Sequence, residues 1–209
     1  MIHKNNDFKD SKGFTLIELM VSVTISVLIM MVVLFSYRTF SDNLALSAAE
    51  QEISISIRQV QVYGLSVRQS SAGSGNFTTG FGIYASANDP TNYYLFSDAN
   101  NDNKCDDGKS CFSAAELMEK DALQNGVKIA PNGICGEAFG GGVVCPPSGG
   151  AVSIEVTFVR PNPNAVIRFT DKNGAFLGGA YQSGQIQLIS PLGKTATVTI
   201  GNTGQISVK

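Results

Sequence analysis

From Phe14 to Phe35 the chain reads FTLIELMVSVTISVLIMMVVLF, a nearly unbroken apolar run whose one charge is Glu18. Wound as a helix, its twenty-two residues rise roughly 33 Å, enough to cross a bilayer core of about 30 Å with slight tilt. Residues 14 to 35 are therefore predicted as the transmembrane half of an N-terminal helix. Nothing obliges that helix to stop at the membrane face, because no Gly lies between Gly13 and Gly64 and no Pro precedes Pro90. Leu46, Ala49, Ile53, Ile57, Val60, Gly64 and Val67 recur at steps of three and four residues, so residues 36 to 70 are predicted as an amphipathic continuation. Ile53, Ile55 and Ile57 also alternate as a strand would. The helical stripe extends over more residues than the alternation, which favours helix.

After a Ser/Gly cluster at residues 70 to 76 the pattern changes to short alternating runs. They occupy residues 77 to 84, 93 to 97, 152 to 159, 165 to 170, 185 to 190, 195 to 200 and 205 to 208. Asn173-Gly174, Pro191-Leu192-Gly193 and Asn202-Thr203-Gly204 are suited to hairpin turns. The expectation is an α+β chain in which a long N-terminal helix packs on an antiparallel β-sheet head over residues 71 to 209. The stretch from 98 to 150 reads as irregular, and no repeat or second-domain boundary interrupts the head.

The flanks of the apolar run orient it. Lys4, Lys9 and Lys12 precede it, whereas only Arg38, soon followed by Asp42, lies close behind. This predicts a single pass through the inner (cytoplasmic) membrane, with the N-terminus in the cytoplasm and the head outside. The four cysteines, Cys105, Cys111, Cys135 and Cys145, all fall in the extracytoplasmic part, where thiols become disulfides.

The sharpest local feature is Lys12-Gly13-Phe14-Thr15-Leu16-Ile17-Glu18. An ionised carboxylate inside a membrane span costs a few kcal/mol on insertion scales and calls for a partner. A cut after Gly13 would leave a positive amine on Phe14, one helical turn from Glu18. In a stack of parallel, staggered helices the carboxylate of one subunit can meet the amine of the next. Here the chain resembles the type IV pilin and type II secretion pseudopilin superfamily, whose signature is a leader ending in Gly followed by Phe-Thr-Leu-Ile-Glu. The resemblance implies that a prepilin peptidase removes residues 1 to 13 and methylates the Phe14 amine, and that Glu18 guides docking among other pilins or pseudopilins. A plain signal anchor, or a secretory signal peptide cut around Ala45 to Ala49, are the competing readings. A secretory apolar region is shorter, about 7 to 15 residues, and the polar stretch Ser36 to Asn43 separates this run from the small residues.

Loss of the leader would leave 12 basic against 15 acidic side chains, which is no general footprint for nucleic acid. It would also remove His3, the only histidine, and with it Ser-His-Asp, Cys-His and His-ligated zinc chemistry. No catalysis is expected. Asp/Glu or Ser/Lys chemistry in an anchored extracytoplasmic enzyme is the disfavoured third reading. Val156-Thr157-Phe158-Val159-Arg160-Pro161 and the run Ile200 to Val208 resemble the head of H-type pseudopilins and related minor pilins, although Gln205 stands where that family often has a basic residue.

Two features of the head suggest chemistry. Asp98, Asn100, Asp102 and Asp107 place oxygens at intervals along an acidic loop, an arrangement that a Ca²⁺ ion could gather and that an ordinary Asp/Asn turn also produces. It departs from an EF-hand at Asn103 and Lys109. Among the cysteines, Cys105 with Cys111 and Cys135 with Cys145 are the simplest of three connectivities, and their spacings lack a zinc knuckle. The expected function is that of a minor subunit that primes or caps a filament, with no required cofactor beyond the calcium suggestion. The alternative is a tip-located binding module, for DNA uptake or adhesion. If its ligand were DNA, Arg160, Arg168, Lys172 and Lys194 would have to converge.

Overall fold

The computed structural model describes residues 13–66, 69, 77–105, 116–146 and 150–209. It divides into two compact units, Met1–Ser41 and Asp42–Lys209, and one helix, α1 (Leu16–Leu65), contributes to both. Each unit is taken by itself.

In the first unit the large apolar side chains of α1 are exposed throughout, from Leu16 to Phe40. The stretch is long and apolar enough to cross a membrane, and none of it is buried against protein. Three of its hydroxyls are satisfied locally. Ser22, Thr24 and Ser26 donate to the carbonyls of Glu18, Met20 and Ser22, at 2.7, 2.8 and 2.8 Å, so these polar groups need no outside partner in an apolar medium.

In the second unit α1 turns one face inward: Asp42, Ala45, Leu46, Ala49, Ile53, Ser56, Ile57, Val60 and Gly64 are buried. Ile53 and Ile57 are fully buried while Ile55 is 64% exposed, which resolves the helix-or-strand ambiguity for helix. Val67, the last residue of the predicted stripe, lies outside the described residues. The strands are β1 (Gly80–Ser86), β2 (Asp89–Asp98), β3 (Leu117–Ala122), β4 (Lys128–Ala138), β5 (Val143–Val144), β6 (Ser153–Val159), β7 (Asn162–Thr170), β8 (Phe176–Leu177), β9 (Tyr181–Ile189), β10 (Thr195–Gly201) and β11 (Ile206–Val208). They form two antiparallel sheets, ordered β3-β2-β1-β6-β7-β8 and β11-β10-β9-β4-β5. One core joins the helix stripe to the inner faces of both, including Phe81, Leu95, Phe158 and Phe169 from the first and Ile134, Ile186, Leu188 and Val198 from the second.

The contact is close enough to constrain sequence. A β-carbon at Gly64 would collide with the Phe158 carbonyl oxygen, so glycine at this point of the stripe lets helix backbone approach β6.

The α+β expectation holds, and the three predicted turns separate β7 from β8, β9 from β10 and β10 from β11. The antiparallel head comprises two sheets, and one expectation is corrected: the stretch from 98 to 150 contains β3, β4 and β5. β4 escaped the period-two pattern because Pro131, Gly133 and Gly136 interrupt it and its register with β9 shifts between Ile129 and Ile134. β3 is an edge strand carrying Glu119, Lys120 and Asp121, charges that mask an alternating signal while discouraging edge pairing.

Candidate functional site

The N-terminal feature is built around the helix start. Gly13 and Phe14 precede α1, and Phe14 is exposed. The Thr15 hydroxyl accepts from the Glu18 amide at 3.3 Å, and the Thr15 carbonyl accepts from the Leu19 amide at 3.2 Å, so Thr15 is the N-cap. Thr15-x-x-Glu18 has the residue types of a capping box, a signal legible in the sequence. Glu18 sits in the first turn, where the helix dipole favours a negative charge. The result is an exposed aromatic next to an exposed carboxylate at a capped helix end.

Asp42, the first residue of the head unit, is buried. Its Oδ2 accepts from Ser190 Oγ at 2.6 Å and its Oδ1 from the Leu192 amide at 3.2 Å. Next to it, Lys194 Nζ donates to Asn43 Oδ1 at 2.6 Å. The helix is thereby tied to the β9–β10 turn. No local signal pairs residue 42 with residue 190.

The acidic loop folds on itself. Asp98 Oδ1 accepts from the Asp102 amide (3.0 Å) and its Oδ2 from the Asn103 amide (2.9 Å). Asn100 Oδ1 accepts from the Asp102 amide (3.0 Å) and Asp102 Oδ1 from the Lys104 amide (2.9 Å), while Lys104 Nζ lies 3.5 Å from Asp102 Oδ2. Burial raises the Asp98 carboxyl above the usual range, against the lowering effect of those two amides. Asp98, Asn100 and Asp102 thus bond to the loop backbone, in the manner of Asx turns. Among the described residues no group of three or more His, Cys, Asp or Glu is assembled to hold a metal. Asp107 and Cys111 lie outside the described residues. Cys135 and Cys145 are joined, as the local pairing anticipates, and Cys105 is disulfide-bonded.

Behind the loop, on the face of the first sheet turned away from the core, lies a group that sequence reasoning missed. Glu155 stands between Tyr84 and Arg168 in the strand register and is 4% exposed. Burial pushes its carboxyl up to about 8, opposed by Arg168 and by a hydrogen bond from the Cys105 amide. Its Oε2 has no hydrogen-bond partner among the described residues. Lys104 and Arg168 both approach the Phe176 ring, at 5.1 and 5.6 Å from its centroid, fixing the loop over this face. The signal was an acid flanked by two β-branched apolar residues in β6, Ile154-Glu155-Val156.

The four basic residues do not converge. Arg160 and Lys172 lie beyond opposite ends of β7, Arg168 faces Glu155 in mid-strand, and Lys194 belongs to the other sheet's β9–β10 turn.

Comparison with curated proteins and with solved structures yields no significant match. One family description does match: the prokaryotic N-terminal methylation motif, over residues 8–34, which takes in the Gly13-Phe14 junction, Glu18 and most of the apolar run. The chain therefore carries a prepilin-type N-terminal methylation motif on a long apolar helix that continues into an antiparallel β head, a pilin-like α+β architecture consistent with the type IV pilin superfamily.

Proposed function

We propose that this chain is a minor pilin or pseudopilin, a structural subunit that primes or caps a type IV pilus or type II secretion pseudopilus. Prepilin peptidase cuts between Gly13 and Phe14 and methylates the new amine. The observation that carries this reading is the methylation motif, with Glu18 in the first turn of a helix whose large apolar side chains are exposed as far as Phe40. A carboxylate and an ammonium about 4 Å apart attract by roughly 4 kcal/mol where the effective dielectric constant is near 20. Pairing Glu18 of one subunit with the Phe14 amine of another would offset the cost of keeping a charge in the membrane and set the axial stagger. The leader lysines hold the N-terminus in the cytoplasm, and the head projects outside. Its distinctive surfaces, the acidic loop and the Cys135–Cys145 hairpin, suit a low-copy subunit with one specialised face.

The test is expression with and without the peptidase, followed by mass spectrometry of the N-terminus. Loss of residues 1 to 13 and a methylated Phe14 are expected only with the enzyme; a chain left uncut overturns the reading. Glu18→Ala should still be cut but drop out of purified filaments, at unchanged thermal stability of the head.

A further inference from the structure

A cleft of about 310 Å³ opens between the acidic loop and the β6–β7 turn, a volume at the small end of ligand cavities (about 300–1,000 Å³). Its polar lining is unusual in kind. Asn101 and Asn103 enter from the loop, Asn162 and Asn164 from the start of β7, and Asp98 lies at the buried end. The side-chain amides of Asn101, Asn103 and Asn164 make no hydrogen bond among the described residues, so each of these lining residues keeps two donors and one acceptor unspent. Asp98 accepts one backbone amide on each oxygen and keeps further lone-pair capacity.

The backbone adds a second argument. Asn101 and Asn103 have φ of 60° and 58°, the left-handed region that glycine enters at least cost. Asparagine also enters this region readily, and at both positions the residue borders the cleft.

Three properties of the lining restrict the ligand. Asp98 and Arg160 contribute one charge of each sign, which favours a neutral molecule, and the Arg160 guanidinium is already engaged by the Phe77 carbonyl. Unspent amides beside a carboxylate match groups that both donate and accept, as adjacent hydroxyls do. Val159 and the half-exposed Val166 give an apolar wall for a C–H face. We propose that this cleft is a binding site for a neutral sugar residue, whose vicinal hydroxyls are held by the asparagine amides and Asp98 and whose ring lies against Val166. The site needs only the folded head, so it stands or falls separately from filament assembly.

The experiment uses the full chain in dodecylphosphocholine micelles, a detergent without sugar. Saturation-transfer NMR is recorded with the methyl glycosides of glucose, galactose, mannose and N-acetylglucosamine. At least one should receive saturation from the protein. Asn103→Gly, which keeps the left-handed backbone, and Asn164→Ala should each weaken that binding about tenfold, the loss of one or two hydrogen bonds, at unchanged melting temperature. Asn173→Ala, in the β7–β8 turn, should bind as the parent does. Failure of all four glycosides to bind the parent overturns the proposal, as does binding that survives both cleft variants. If either variant melts early, Asn101→Gly takes its place under the same criterion.

Discussion

The two stretches of α1 have the same backbone and different sources of order. From Leu16 to Ser41 every large apolar side chain is exposed and the helix has only its own hydrogen bonds among the described residues. From Asp42 to Leu65 a stripe at helical spacing is buried against two sheets, and Ile55 on the far side is left out. The first stretch depends on an apolar solvent; the second carries its solvent with it as a protein core. A helix can therefore be continuous in backbone while its stability is accounted for in two separate ways.

The strongest way to break this comparison is to shorten one isoleucine in each stretch. Ile57→Ala should cost about 2–5 kcal/mol through the cavity it leaves, on the order of 10 °C in the melting temperature of the head. Ile29→Ala, on the exposed stretch, should shift it by less than about 2 °C. Equal effects in a differential scan of the two variants would mean that the stretches are not independent.

The next effect belongs to the head alone and depends on pH. Glu155 holds its proton more tightly folded than unfolded, with a carboxyl raised from 4.5 to about 8 by burial. Such a group contributes stability fully below pH 4.5, and the contribution is lost as pH rises through about 8. Asp98 shifts in the same direction. The head should accordingly melt at a higher temperature at about pH 5 than at about pH 9, and Glu155→Gln should flatten most of that slope. A melting temperature that rises across the window, or a Gln variant with the parent's slope, would contradict the assignment.

The smallest effect sits where the head's part of α1 begins, at Asp42. Asp42→Ala removes the acceptor of Ser190 and leaves the Leu192 amide without its carboxylate, a loss of about 1–3 kcal/mol. Asp42→Asn retains an acceptor oxygen and should recover part of it. Chemical denaturation of both variants reads the difference, and an alanine variant as stable as the parent would show that this part of the helix is held to the β9–β10 turn by apolar packing alone.

Much of this molecule was readable in one dimension because the relevant signals are local. The span is a run, the helix stripe is a spacing, and the turns at Asn173-Gly174, Pro191 to Gly193 and Asn202 to Gly204 follow from their own residues. The methylation motif is likewise a short contiguous string. β4 was not readable, because a strand broken by Pro131 and Gly133 is held in place by its register with β9 and not by its own pattern. The acidic loop was recognised as a concentration of oxygens, but which of them face a neighbour and which bond to the loop's own amides is set by the path from Asp98 to Cys105.

By itself the sequence determined the membrane-length helix, its continuation into an amphipathic stretch, the α+β class and the Gly13-Phe14-Glu18 signature, since each depends on neighbours a few residues apart. Only the tertiary structure decided that the strands divide into two sheets, that Asp42 meets Ser190, that Glu155 is buried beneath Cys105, and that asparagines from the acidic loop and from β7 line one cleft. Those are contacts between distant parts of the chain, and their energies depend on burial and on which polar groups find partners, quantities that exist only once the chain has closed around a core.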